Sequence, residues 1–219
     1  MLKINFSGLH SKLSKFMTNA SKSKGSSYLL FVRNAESSGN LSGTLTGWMD
    51  AELSEYGRKQ AFSLNEVLVD YEDEFSTLNC SDLKRSVQTA NYALGFPSES
   101  DLVQDKLIRE CSYGEMEGIH FDSMPDSQKE QISDPSYVFP GGESFNQVRD
   151  RGQIFLNKLP EGTHLVFTHA GVICSLLQDY GVAEMPETCS FVGATLDSDS
   201  KELKMLEFLW EYPVISEDI

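Results

Sequence analysis

Two short runs, "YLLFV" at residues 28–32 and "HLVFT" at residues 164–168, stop at side chains that carry chemistry: Arg33 and Asn34 after the first, His169 after the second. A run with apolar side chains on both alternations suits a strand buried on both faces, hence a parallel sheet between helices. The segments between fit that scheme. Ser54 can cap a helix running to about Tyr71, with Ala61, Leu64, Leu68 and Tyr71 on one face. "FSTLNCSD" reads as a short strand ending in a cap, and "LKRSVQTANYAL" as a helix stopped by Gly95 and Pro97. Residues 110–143 hold little periodicity and read as a long loop region. Phe145, Val148, Gly152, Phe155 and Leu159 mark a further helix, and "GVICSLLQDYG" another that ends at Gly181. "SFVGATL" and "ELKMLEFLWEY" suit two antiparallel strands joined by the turn "DSDSK". Strand–helix alternation of this kind predicts an α/β fold.

The chain is acidic, with a net charge of −15 over 219 residues. That excludes nucleic acid and anionic membrane as partners of the main body, and no apolar run approaches a membrane span. An acidic protein that handles phosphate must concentrate positive charge locally. The charge is also uneven: residues 1–27 hold five lysines and no acid, +5 against −20 for the rest. Leu2, Phe6, Leu9, Leu13 and Phe16 form one apolar helical stripe, followed by the linker "SKSKGSS". Residues 1–27 therefore read as a basic amphipathic arm resembling a transit peptide, which implies a mitochondrial or other organellar destination. A partner-binding basic arm on a cytoplasmic protein is the alternative. Residues 28–219 form the main domain. Cys80, Cys111, Cys174 and Cys189 make neither a CxxC pair nor a metal-ligand cluster and read as reduced buried thiols. No cofactor or metal is expected.

Carboxyl ends of parallel strands meet at one edge of a sheet. Arg33, Arg85 (one turn into its helix) and His169 can converge there on an anion, which arginine grips with paired charge-assisted hydrogen bonds. Glu110, in "LIRECSYGEMEG", adds a carboxyl group with acid–base capacity. Trp48 and Trp210 read as packing residues, His120 and His164 as solvated or structural, and "DYEDEF" as a solvated helix end.

Together, "LFVRNAESSGN", "TGWMDAELSEYGRKQA", "CSDLKRSVQTA", "IRECSYGEMEG", "PGGES" and "VFTHAGVI" resemble the histidine phosphatase superfamily, the phosphoglycerate mutase-like group. They stand in family order and cover roughly residues 28–180. The resemblance implies a three-layer α/β/α sandwich, and an active histidine that attacks a phosphoryl group. It implies Arg33, Arg85 and His169 as the phosphate pocket, Asn40 as a phosphate or substrate contact and Glu110 as the acid that protonates the leaving oxygen. The interval from Glu110 to His169 is short, which fits phosphatase-like members better than glycolytic mutases. Met116 departs from a frequent tryptophan and is expected to alter packing only.

The larger departure is Asn34, where the family has its nucleophilic histidine. An amide nitrogen is delocalised into its carbonyl and cannot form a phosphoryl intermediate. Losing the nucleophile of a hydrolase costs on the order of a million-fold in turnover. Two readings follow. The chain is a pseudoenzyme, kept as a phosphate-ligand binder or as a structural subunit among other protein subunits. Or it is a phosphomonoesterase on small phosphate esters whose nucleophile has been changed from histidine to asparagine. For the arm, a fluorescent reporter fused to residues 1–27 is expected to relocate to an organelle on imaging; a diffuse cytosolic signal removes the targeting reading.

Overall fold

The computed structural model describes residues 3–4, 7–23, 25–97, 101–178, 185–209 and 215–216. In chain order the elements are β1 (Lys3–Ile4), α1 (Ser7–Lys22), β2 (Ser26–Arg33), α2 (Ser38–Leu41), α3 (Glu55–Ser63), α4 (Asn65–Leu68) and β3 (Thr77–Cys80). There follow α5 (Lys84–Ala93), β4 (Leu102–Gln104), α6 (Asp126–Ile132), α7 (Phe145–Lys158), β5 (Thr163–Thr168), α8 (Ala170–Leu177), β6 (Phe191–Asp197), β7 (Leu203–Leu209) and β8 (Ile215–Ser216).

Six strands form one sheet in the order β4-β3-β5-β2-β6-β7. The first four are parallel, and β6 and β7 are antiparallel. The alternation of β2 sorts its side chains onto two cores. Leu30 and Val32 pack with Leu9, Leu13 and Phe16 of α1, Ala61 of α3 and Ala90 of α5. Leu29 and Phe31 pack with Val148 and Phe155 of α7 and with Val172 and Ile173 of α8. A strand buried on both sides has no polar face to show, which explains the unbroken run at 28–32. The mostly parallel sheet with helices on both faces is the expected three-layer architecture.

Register then sets the working edge. Arg33 pairs with Thr168 across β2 and β5, and Cys80 pairs with Phe167 across β3 and β5. Asn34 therefore emerges level with His169, and Ser81 one residue short of them, level with Thr168. Asn34 N donates to Thr168 O at 2.8 Å and Ser81 N to Phe167 O at 2.9 Å.

Several expected boundaries shift. The helix expected from Ser54 to Tyr71 is capped as foreseen, with Ser54 Oγ accepting from Gly57 N at 2.8 Å, but it breaks at Leu64 and ends as a tighter turn over Val69–Glu74. Ser63 Oγ donates to Gln60 O at 2.6 Å at the break, a side-chain bond that competes with the helical ladder. The expected loop at 110–143 contains α6, a helix too short for periodicity to reveal. Strands β1, β4 and β8, of two or three residues each, were not foreseen. The helix stop at Gly181 and the packing role of Trp210 lie outside the described residues, as do Leu2 and Phe6 of the N-terminal stripe.

The remainder of that stripe is core. Leu9 and Leu13 are 1% and 0% exposed, and Phe16 meets Tyr28 edge-on at 5.5 Å between ring centroids. Helix α1 thus covers part of the sheet face formed by Leu30 and Val32. Leu13→Ala is expected to lower unfolding stability by about 2–5 kcal/mol, measured by denaturant titration. Ser14→Ala on its exposed face should change it by less than about 0.5 kcal/mol. Equal effects would mean that α1 does not stay packed.

Candidate active site

At the carboxyl edge of β2, β3 and β5 lies a cavity of about 130 Å³. Five of the six residues singled out from the sequence line it: Arg33, Asn34, Asn40, Arg85 and Glu110. The sixth, His169, stands behind Asn34 rather than in the wall. Its ring is fully buried, with Nδ1 3.0 Å from Asn34 Oδ1 and Nε2 2.8 Å from Ser81 Oγ. An amide oxygen only accepts, so Nδ1 carries the proton, and the Ser81 hydroxyl donates to Nε2. Burial, and then the charges of Arg85, Arg151 and Arg33, hold His169 well below the ordinary imidazole range, so the ring is neutral. Both of its nitrogens are occupied.

Asn34 is 4% exposed. Its Nδ2 donates to Ala35 O at 2.8 Å, so the amide is fixed at both ends. Arg33 donates to Pro186 O, and Arg85 donates to Gly47 O at 2.8 Å and Met49 O at 3.2 Å. A guanidinium has five N–H donors, so each keeps some for a ligand. Burial lowers the pKa of Arg85, and the negative charges of Glu110 and Asp50 act against it; the group stays charged. Asn40 is exposed at the rim, and its Oδ1 accepts from Ser37 N at 3.0 Å and Ser37 Oγ at 2.8 Å in a capping box on α2. These bonds fix the 37–41 turn through the Asn40 oxygen.

Glu110 is held by backbone: Oε1 accepts from Cys111 N at 2.9 Å and Oε2 from Gly171 N, in the first turn of α8, at 3.3 Å. Its own carbonyl accepts from Trp48 Nε1 at 2.8 Å and Arg151 Nη2 at 2.9 Å. Trp48, expected only to pack, therefore ties the 44–50 loop to the acid's backbone, and its ring lies 4.9 Å from the guanidinium carbon of Arg109. Two ion pairs brace the surroundings. Arg109 grips Asp82 with two bonds of 2.6 Å, which holds the Asp82 carboxyl below its usual range. Arg151 grips Glu143 at 2.8 and 3.0 Å. Beneath them the 112–114 and 140–142 segments cross so closely that a Cβ on Gly114 would collide with Pro140 O, and one on Gly142 with Ser112 O. Gly114, with φ +53°, also occupies the left-handed region.

Sequence reasoning missed Ser81, Tyr113, Thr46 and Met185, which complete the walls or bond the residues behind them. Only Ser81, inside "NCSD", had a local signal. Neither His120 nor His164 lines the cavity: His120 caps a turn and is bridged to Thr44 of the wall, and His164 bonds Thr77 Oγ1 and Pro160 O. All four cysteines are free, and burial pushes the Cys80 thiol up to about 12 and the Cys174 thiol up to about 11. Among the described residues no three His, Cys, Asp or Glu side chains converge as a metal site, and no helix is long and apolar enough to cross a membrane. The arrangement sets two arginines and one carboxyl group around the cavity, with a neutral imidazole screened behind Asn34.

The burial of His169 has a pH consequence. The unfolded chain takes up imidazole protons near 6.5, whereas folded His169, and His164 with it, resists protonation. Their stabilising contribution is complete above that value and is lost as pH falls toward the folded pKa. Denaturant unfolding is expected to show stability falling between about pH 7 and about pH 5, with a shallower fall in His169→Gln. An unchanged slope would mean that His169 is not buried neutral.

Sequence and structure comparisons both include phosphoglycerate mutases. The family described as "Histidine phosphatase superfamily (branch 1)" matches residues 29–201. Phosphoglycerate mutase-like protein 4 of Arabidopsis thaliana is 32% identical over 160 residues, covering 68% of this chain and 69% of that protein. Fructose-2,6-bisphosphatase TIGAR B of Danio rerio is 33% identical over 138 residues, covering 60% of this chain and 52% of its own length. For the 2,3-bisphosphoglycerate-dependent phosphoglycerate mutase of Lactococcus lactis, the match spans only 40% of that protein. The solved phosphoglycerate mutase from Thermus thermophilus superposes with a TM-score of 0.69 at 29% identity, covering 84% of this chain and 99% of that one. A mycobacterial glucosyl-3-phosphoglycerate phosphatase shares the fold, with a TM-score of 0.71 at 21% identity over 85% of this chain and all of its own.

Proposed function

The chain belongs to the histidine phosphatase superfamily (branch 1), and from that premise we propose that it is a phosphate-ester binder with a disarmed centre, a pseudoenzyme in which Asn34 stands at the position of the family's nucleophilic histidine. One observation carries the reading: Asn34 is the cavity residue at the end of β2, and both ends of its amide are already hydrogen-bonded. No lone pair of nucleophilic strength faces the cavity from it. His169 does not substitute, because its Nε2 lone pair is engaged by Ser81 and its ring is screened by Asn34.

Binding is the part of the activity these residues retain. Arg33 and Arg85 supply charge-assisted donors, and Asn40 an amide donor at the rim. His169 reaches the phosphate only when Nδ1–H is released from Asn34. Glu110 stands where a carboxylic acid could protonate a leaving oxygen. The second reading, a phosphomonoesterase whose histidine has been replaced, is favoured by the same retention of Arg33, Arg85, Glu110 and His169. An organellar location and a place among other subunits of an assembly rest on the basic composition of residues 1–27 alone, and the packing of Leu9, Leu13 and Phe16 against the sheet weighs against a detached arm.

The exchange Asn34→His tests both. A histidine Nδ1–H can take over the bond to Ala35 O, which leaves Nε2 with its lone pair toward the cavity. Asn34→His is expected to gain hydrolysis of an aryl phosphate and acid-labile phosphate labelling, while the chain as it stands shows neither. Calorimetry should also show saturable phosphate binding by the unaltered chain, lost in Arg85→Ala. Phosphate binding without a gain in Asn34→His makes the chain a binder with a drifted centre; absent binding removes the pocket assignment.

A further inference from the structure

Beside the anion cavity lies a second, larger one of about 440 Å³. The two share Leu45, Tyr113 and Met185 as a common wall. We propose that they are two halves of one ligand site, and that the ligand is a phosphate monoester whose organic part is a large apolar or aromatic body rather than a glycerate or a sugar. The proposal rests on the reading of Arg33 and Arg85 as a phosphate site and names the ligand class of that site.

Size comes first. A cavity of about 130 Å³ has room for a phosphoryl group and little more, whereas about 440 Å³ falls within the about 300–1,000 Å³ of small-molecule sites. The boundary between them is chemically placed. Glu110 lines the smaller cavity and Gly171 lines the larger, and Gly171 N donates to Glu110 Oε2 at 3.3 Å. A side chain at position 171 would collide with Glu110 Oε1 and crowd the ring of Phe145. Glycine thus lets the Glu110 carboxyl group lie against α8 at the boundary of the two cavities, beside which the bridging ester oxygen of a monoester would come.

The wall chemistry selects the body. The lining of the larger cavity is predominantly apolar. Tyr113, Phe139 and Phe145 form an edge-to-face cluster with centroid separations of 4.9, 6.2 and 6.5 Å. Edge-to-face rings of this kind pack against flat apolar groups. The lining contains one charged side chain, Lys129, whose ammonium lies 5.4 Å from the centroid of the Phe121 ring at the mouth. A glycerate or sugar body would bring a carboxylate or several hydroxyls, each needing converging polar partners. An aromatic or alkyl body needs none and gains from leaving water.

Calorimetry on the full chain with inorganic phosphate, 2-naphthyl phosphate and 3-phosphoglycerate tests this. We expect 2-naphthyl phosphate to bind at least about tenfold more tightly than either of the others. Two variants should erase that advantage while leaving the affinity for inorganic phosphate within about twofold, well inside the tenfold step that 1.4 kcal/mol represents. Phe121→Ser removes an exposed ring at the mouth and should not disturb folding. Cys174→Phe fills the cavity from α8. Naphthyl phosphate binding no tighter than phosphate, or an advantage that survives both variants, overturns the ligand class and leaves the phosphate site standing. If none of the three binds, the phosphate reading itself fails, and the ligand class falls with it.

Discussion

Parallel pairing of β5 with both β2 and β3 is the constraint from which the site follows. Because Arg33 lies opposite Thr168 and Cys80 opposite Phe167, Asn34 is brought level with His169, and Ser81 is one residue short of them. Asn34, Ser81 and His169 then fall into a row joined by side-chain bonds of 3.0 and 2.8 Å. A register slip of one residue in any of these strands would turn the row to the wrong face and bury the arginine in its place. The pairing is protected by the two cores, since each strand presents alternate residues to opposite helical layers and cannot shift without exposing one set.

Four arginines divide the labour around that edge. Arg33 and Arg85 face the cavity and spend part of their donor capacity on carbonyls of Pro186, Gly47 and Met49. Arg109 and Arg151 do not line the cavity and grip Asp82 and Glu143. These pairs are partly buried and bidentate, a geometry that orients loops better than it adds net stability. Their function is positional: Asp82 belongs to the turn that starts α5, and Glu143 to the turn that starts α7. Through Arg151, whose other donors reach Leu107 O and Glu110 O, the second pair fixes the backbone of the acid. A negative protein thereby keeps two cationic heads beside one carboxyl group without collapsing them into a direct ion pair.

What could be read from the chain and what could not divides along locality. The strand ends with Arg33, Asn34 and His169 were legible because an apolar run followed by a polar residue is a local pattern. The helices with strong caps, such as α7 behind Ser144, were legible for the same reason. The break at Leu64 was not, because it depends on one hydroxyl, Ser63 Oγ, choosing Gln60 O. Helix α6 and strands β1, β4 and β8 are too short to print a period. At the site, Tyr113, Thr46 and Met185 come from three distant segments that meet only after folding, so no spacing announces them. The withdrawal of His169 behind Asn34 was likewise invisible: the composition of the site was legible, but its bonding was not.

That bonding gives Asn34 a physical role of its own. Two imidazoles packed beside two guanidinium groups would have to stay neutral at a cost that rises as pH falls, since each added proton would meet existing positive charge. Asparagine carries no proton to gain. Its Nδ2 holds Ala35 O, and its Oδ1 gives the His169 Nδ1–H an acceptor that a histidine edge of carbon would not provide. Asn34 therefore stabilises one tautomer of His169 and closes the row from Ser81 to Ala35 as a chain of satisfied bonds. The same satisfaction is a restraint, because any group that draws on the His169 Nδ1–H must first compete with the Asn34 oxygen for it. Arg33 and Arg85 bond carbonyl oxygens with part of their donor sets and keep the rest, whereas the one N–H of the neutral imidazole is spent on the amide.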